Sequence, residues 1–185
     1  MTRLATALAR NPALTEVIDH LATLGLPGAY VTAGCVFQTV WNVVTGRPAG
    51  AGIRDYDVFY YDSSDLSQAT QDATGARFAG LRVATDVVNE ARVHLWYEDV
   101  FGVPCAPFTS SEEAIDHFAA KACAVGVRRA PEGGLQVYAP FGLEDVFGLV
   151  VRPNPVLAPR HVYEAKAARW QAQWPELTVL PWQGR

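Results

Sequence analysis

Cysteine is scarce in this chain of 185 residues: Cys35, Cys105 and Cys123 make an odd set of three, with no CxxC pair among them. Neither a disulfide framework nor a zinc site follows from that spacing, and a reduced, cytoplasmic setting is the simplest expectation. An excess of basic charge is also missing, since the formal net charge is -4 and the pI near 5.5. Binding to long nucleic acid leans on basic surface to neutralise phosphates, so it is disfavoured here, whereas one nucleotide held by a few groups is not. No apolar run reaches the length of a membrane span. The N-terminal "MTRLATALARNPALTEVIDHL" lacks both an uninterrupted apolar core and a signal-cleavage pattern. The expectation is a cytosolic protein with no membrane partner. Internal repeats and low-complexity tracts are absent too.

What remains is a composition of 50% hydrophobic and 18% charged residues, enough to bury the core of a single domain spanning 1–185. Residues 3–10 and 13–24 read as helices, the second carrying Leu14, Val17, Ile18, Leu21 and Leu24 at helical spacing behind an Asn11 cap. "AYVTAG" (29–34) predicts a short buried strand and "CVFQTVWNVV" (35–44) a helix, followed by the Gly/Pro-rich loop "TGRPAGAG". A strand is expected over about 53–61. A helix capped by Ser63 or Ser64 should then run to a turn near Gly75, before a β-branched strand over 81–89. "ARVHLWYEDVFG" is ambiguous between helix and extended chain. "SSEEAIDHFAAKACAVGVR" opens with a helix-start signal, Ser110 followed three residues later by Glu113. "GLQVYAPF" suggests a strand, "LEDVFGLVV" a short helix, and "HVYEAKAARWQAQW" the last helix. The class is α+β, with a short mixed sheet and flanking helices: a sheet core over 29–105 and a mainly helical C-terminal part over 106–185.

"GIRDYDVFYYD" holds the chemistry. Asp55 and Asp57, two apart, share one face of a strand, with α-carbons roughly 6.5–7 Å apart. Like charges there repel, so one of the pair should titrate high unless a cation lies between them. Both carboxylates can turn to one divalent ion, or bridge two of the kind used in phosphoryl transfer. A bare DxD is common in turns and on solvated strand edges. The apolar "VFYY" that follows, and a third acid, Asp86, inside the apolar "VATDVVN", argue against that plainer reading. A lone carboxylate in such a strand would cost several kcal/mol or be neutralised, so a site shared with Asp55 and Asp57 explains it better. Upstream, a strand ending at Gly34 and passing into a helix presents backbone N–H groups suited to phosphate.

The order "AGC" at a helix start, "DYD" on a strand and then Asp86 resembles the DNA polymerase beta-like nucleotidyltransferase superfamily. More closely, "GCVFQTVWN", "GIRDYDVFYYDSSDLS", "NEARVHLWYEDVFG", "SSEEAIDHFAAKACAVGVR" and "RPNP" resemble a bacterial family of nucleotidyltransferases, over about residues 29–185. The resemblance implies a nucleotidyltransferase fold, with Asp55, Asp57 and Asp86 binding Mg²⁺ or Mn²⁺ and Gly34 and Cys35 facing a triphosphate. Cys35 departs from the usual Gly or Ser, and a thiol is the weaker donor.

Among nearby polar residues, Gln38 and Arg92 are candidate nucleotide contacts. Each has a plainer alternative: Gln38 as a cap or bridge, Arg92 as an ion-pair partner of nearby acids. His94 is a substrate contact or a structural imidazole, Trp41 a core residue or a base platform, and Lys121 and Arg128 phosphate contacts or solvated charges. The leading expectation is a metal-dependent transfer of a nucleoside monophosphate from a nucleoside triphosphate to an acceptor hydroxyl on a small molecule or a protein. Asp86 would be the acid nearest the acceptor. A regulatory relative that binds nucleotide without transferring it is the alternative, and a metal-dependent phosphohydrolase is a third. The acceptor, the choice of nucleotide and the oligomeric state are not legible in the sequence.

Overall fold

The computed structural model describes residues 2–183, so the ends of the expected 1–185 span lie outside it. Two N-terminal helices, α1 (Arg3–Leu8) and α2 (Pro12–Leu24), begin as their sequence dictates. The Asn11 side chain accepts from the Leu14 N–H and α2 ends on Gly25 in the left-handed region. Strand β1 (Tyr30–Thr32) leads into α3 (Gly34–Val44), then β2 (Tyr56–Tyr60), α4 (Gln68–Ala76) and β3 (Thr85–Asn89). The ambiguous segment after β3 is helical, a 3-10 turn over Glu90–Leu95 followed by α5 (Tyr97–Phe101). Helix α6 (Ser111–Asp116) is short, and β4 (Gly126–Arg129), β5 (Leu135–Tyr138), α7 (Glu144–Phe147), β6 (Val150–Val151), α8 (Arg160–Gln173) and β7 (Thr178–Val179) complete the chain.

The main sheet has five strands in the order β3-β2-β1-β4-β5. Only β2 and β3 run parallel; every other neighbouring pair is antiparallel. The sheet therefore takes two strands from the stretch read as mainly helical. Its Ala-rich start, "AAKACAVGVR", has helical propensity, yet Gly126 is needed where it lies. A β-carbon there would sit 2.8 Å from Ile115 Cδ1 and 3.0 Å from the Tyr30 ring, so the glycine lets β4 close against β1. A second departure concerns α4. Its cap is Ser67, which accepts from the Thr70 N–H. Ser63 and Ser64 are not caps, because Asp62 draws Ser64 into a turn through both its N–H and its hydroxyl. The tail also contributes an unforeseen pairing, β6 with β7 in parallel.

The larger core lies between the sheet and helices α1, α2, α3 and α8. Trp41 and Trp174 are fully buried, and Phe37, Trp41, Trp170 and Trp174 meet edge to face with ring centroids 4.6–5.8 Å apart. This cluster fastens α8 against α3, and with it the chain end beside the sheet. Trp41 is thus core, as its plainer reading had it. Among the described residues no helix is long and apolar enough to cross a membrane.

Candidate active site

Register brings the acids together. Thr32 of β1 pairs with Asp57 of β2, and Asp57 pairs with Asp86 of β3. Partners in register project to the same face, so Asp57 and Asp86 stand side by side across adjacent strands, roughly 4.8 Å apart at the backbone. Asp55 lies just before β2, exposed at the approach to the pair. Tyr56, between the acids, turns to the opposite face, where it is buried with its hydroxyl against Asn11.

The Asp57 carboxyl is pushed up to about 7 by burial first, then by repulsion from Asp55 and from Asp86. Lys166 and the Gly34 N–H pull the other way. Partial burial, followed by Asp55, also raises Asp86, whose side chain is exposed and not enclosed as its apolar strand suggested. One member of the DxD pair does titrate high, as the spacing predicted, although desolvation outweighs like charge as the cause.

Where β1 meets α3, the unusual backbone belongs to Ala33 and not to Gly34. Ala33 has φ +55° and ψ −136°, a region that residues with a β-carbon rarely enter. The turn aims the Gly34 N–H at Asp57, while the Val36 N–H returns to the Ala33 carbonyl at 3.1 Å. The helix tip is thus poorer in free donors than the strand–glycine–helix pattern suggests. Cys35 is fully buried and its thiol donates to the Thr32 carbonyl at 3.1 Å, away from solvent. Burial and the nearby Asp57 hold that thiol well above its ordinary value, so it is inert as a nucleophile.

Two cavities meet at Asp57. The first, about 310 Å³, is lined by Gly34, Gln38, Asp55 and Asp57 together with the cations Arg54, Lys166 and Arg169. The second, about 230 Å³, takes Asp57 and Asp86 into its wall and is otherwise mostly aromatic and aliphatic. Asp57 and Lys166 belong to both. Asp55 borders only the first, Asp86 only the second.

Gly34, Gln38, Asp55, Asp57 and Asp86 therefore converge. Arg92 does not. It is buried, with Nε donating to the Leu66 carbonyl at 2.9 Å and Nη2 to Gln68 at 2.8 Å, and it ties the 3-10 turn to the start of α4. His94 borders neither cavity. Lys121 and Arg128 lie over the rings of Phe141 and Tyr30.

Sequence reasoning did not single out Lys166, Arg169 and Gln173, which line the first cavity from α8. A β-carbon at Gly52 would collide with the Gln173 amide, so the loop before Asp55 lies directly on that helix. Lys166, Arg169 and Gln173 recur at i, i+3 and i+7, one face of α8. That periodicity was the available signal.

No group of three or more His, Cys, Asp or Glu side chains among the described residues stands in a metal-holding arrangement. The donor set is nonetheless all oxygen, as hard divalent cations require. Asp57, crowded by Asp55 and Asp86 with Lys166 as the cation drawing it down, occupies the position where further positive charge would be most stabilising.

A nucleotidyltransferase family model matches residues 19–179. Among solved structures, an NMR structure reported as a CCA-adding enzyme head domain superposes with a TM-score of 0.78 at 23% identity, over 97% of this chain and 95% of that one. A tRNA-processing enzyme complex aligns less closely, with a TM-score of 0.50 at 14% identity, over 89% of this chain and 43% of that one. No curated protein matches the chain. The head-domain likeness establishes the architecture, and the family match reaches from within α2 to the end of β7. The chain belongs to the nucleotidyltransferase family and has the nucleotidyltransferase fold.

Proposed function

We propose that the protein moves a nucleoside monophosphate from a nucleoside triphosphate to an acceptor hydroxyl, and that Asp55, Asp57 and Asp86 hold Mg²⁺ or Mn²⁺ for this reaction. The observation that carries the reading is the Asp57–Asp86 register pair, standing where a cationic cavity and a largely apolar one meet. When bound, the cation supplies charge neutralisation between the α-phosphate and the entering oxygen. The chain's own groups do the rest. Lys166, Arg169 and Arg54 receive the triphosphate, with Gln38 and the Gly34 end of α3 beside it. Asp86, which borders the second cavity and not the one lined by Arg54 and Arg169, takes the proton of the acceptor hydroxyl. The acceptor oxygen bonds to the α-phosphorus as the bond to the bridging oxygen breaks, and pyrophosphate leaves with that electron pair.

The test is pyrophosphate release from ATP, GTP, CTP and UTP with Mg²⁺, comparing wild type with Asp57→Asn. Release by wild type that is lost in the variant, with its circular dichroism unchanged, is the expected result. A second readout is independent of turnover: Mg²⁺ raises the melting temperature of wild type and not of Asp57→Asn. Equal release by both proteins would refute the assignment. The buried Cys35 thiol, which offers the ligand no donor, favours the second reading, a protein that binds nucleotide without transferring it. Calorimetric binding of a nucleotide with no pyrophosphate release would establish that reading instead.

A further inference from the structure

The second cavity contains an acid to which the sequence assigned no role. Strand alternation places residues 86, 88 and 90 on one face, so Asp86 is followed by Val88 and then Glu90 as the chain passes into its 3-10 turn. Glu90 is 2% exposed, and its Oε1 has no hydrogen-bond partner. A buried carboxyl oxygen left unpartnered is costly, and Glu90 is among the residues that line the cavity. The His117 Nδ1–H donates to the Glu113 carbonyl at 2.6 Å, which leaves Nε2 as an acceptor in the neutral ring. His117 lines the same cavity. Asp57 and Lys166 stand where this cavity meets the first, and the rest of the wall is apolar and aromatic, with Phe59, Trp96, Tyr97, Phe101 and Phe108 prominent.

From this we infer that the second cavity is the acceptor pocket, and that its ligand is a compact, mainly apolar amino alcohol whose hydroxyl lies at Asp86 and whose ammonium group is received by Glu90. The inference rests on the transferase reading for the word acceptor, though not for the pocket. A protonated amine fits on two counts: it donates to the orphan oxygen, and aromatic faces attract it. The volume of about 230 Å³ suits a molecule of one ring and a short side chain. Walls of this kind provide few partners for the phosphates and sugars of RNA. In the transfer the acceptor oxygen bonds to the α-phosphorus, its proton passes to Asp86, and pyrophosphate departs.

The experiment uses tyramine as probe, with 4-ethylphenol as the same body without the amine, glucose as a polar polyol, and a short RNA ending in a free 3′ hydroxyl. Binding is followed by tryptophan fluorescence, since Trp96 lines the cavity, and by calorimetry without nucleotide or metal. Tyramine is expected to bind at least tenfold more tightly than 4-ethylphenol, with glucose and RNA below both. Glu90→Gln should erase the preference for tyramine while leaving 4-ethylphenol binding as it was. Trp96→Ala, at a partly exposed position, should weaken both. Equal binding of tyramine and 4-ethylphenol, no binding of either, or preference for glucose or RNA would each overturn the inference. Retained tyramine binding in a protein that releases no pyrophosphate would leave the pocket standing and sink the transferase reading. Transfer without tyramine binding would do the reverse.

Discussion

Asp57 and Asp86 are partners across the one parallel pair of strands in the main sheet, and one strand away Thr32 leads into Ala33 and the start of α3. Two backbone pairings therefore place three distant stretches of chain at one spot, before any side chain chooses a rotamer. The arrangement has an energetic consequence for the protein without ligands.

The first prediction concerns pH. The Asp57 carboxyl keeps its proton up to about 7 in the folded chain, against an ordinary value of 3.8. Between these values the folded state holds a proton that the unfolded chain has released. This group's contribution to stability is therefore greatest below the lower value, falls as pH rises through the window, and is flat above it. The fall is at most roughly 1.4 kcal/mol per pH unit. Asp57→Asn removes it, so the variant gains on wild type as pH rises from 4 to 7. Urea unfolding in chelator across that range measures the difference; a constant gap between the proteins contradicts the prediction.

The second concerns Ala33. Its φ of +55° with ψ −136° is a conformation that glycine adopts without strain. Ala33→Gly should stabilise the fold by about 1 kcal/mol, the strain relieved outweighing the added freedom of the unfolded chain. A shift of the denaturation midpoint to higher urea with an unchanged slope is the expected outcome, and Ala33→Val should shift it the other way.

The acid pair was legible in the sequence because its logic is local: parity on a strand puts Asp55 and Asp57 on one face, and Asp86 interrupts an apolar run without a turn to explain it. Gly34 was legible as a strand–helix junction, but not the exchange of roles that gives Ala33 the strained backbone and turns the Gly34 N–H to Asp57. Lys166 and Arg169 were hidden by distance. On α8 they look like a solvated face, and only the packing of Trp170 and Trp174 on Phe37 and Trp41 brings them to the cavity. Strand β4 was hidden by alanine, since only its packing against Ile115 and the Tyr30 ring explains why Gly126 must lack a side chain. Arg92 was misplaced because sequence proximity to Asp86 says nothing about direction.

A third prediction separates the two kinds of arginine and lysine. Lys166→Met and Arg169→Ala, made singly, should each weaken nucleotide binding about tenfold, the scale of one charge-assisted hydrogen bond, with little change in stability. Arg92→Ala should do the opposite. It removes the buried bonds to Leu66 and Gln68 and should cost about 1.5–3 kcal/mol while nucleotide affinity holds. Calorimetry with ATP and parallel urea titrations distinguish the outcomes, and a matching loss of affinity in Arg92→Ala would restore it to the site.

The fourth prediction follows from Asn42, which is fully buried on α3. Its Nδ2 donates to the Ala49 and Ala51 carbonyls at 3.0 and 2.8 Å, and its Oδ1 accepts from Trp174 Nε1 at 2.9 Å. One amide thus fixes the glycine-rich loop that leads to Asp55 and also fastens the end of α8, whose residues line the cationic cavity. Asn42→Ala would orphan two loop carbonyls and the indole N–H, at a cost of about 3 kcal/mol or more. Trp174→Phe removes only one of those bonds and keeps most of the apolar packing, so its cost should be smaller and should leave the loop in place. If Asn42 positions Asp55 through the loop, Trp174→Phe should bind nucleotide as wild type does once the folded fraction is corrected for, whereas folded Asn42→Ala should bind it more weakly. Equal affinity in both variants would mean that Asn42 serves stability alone.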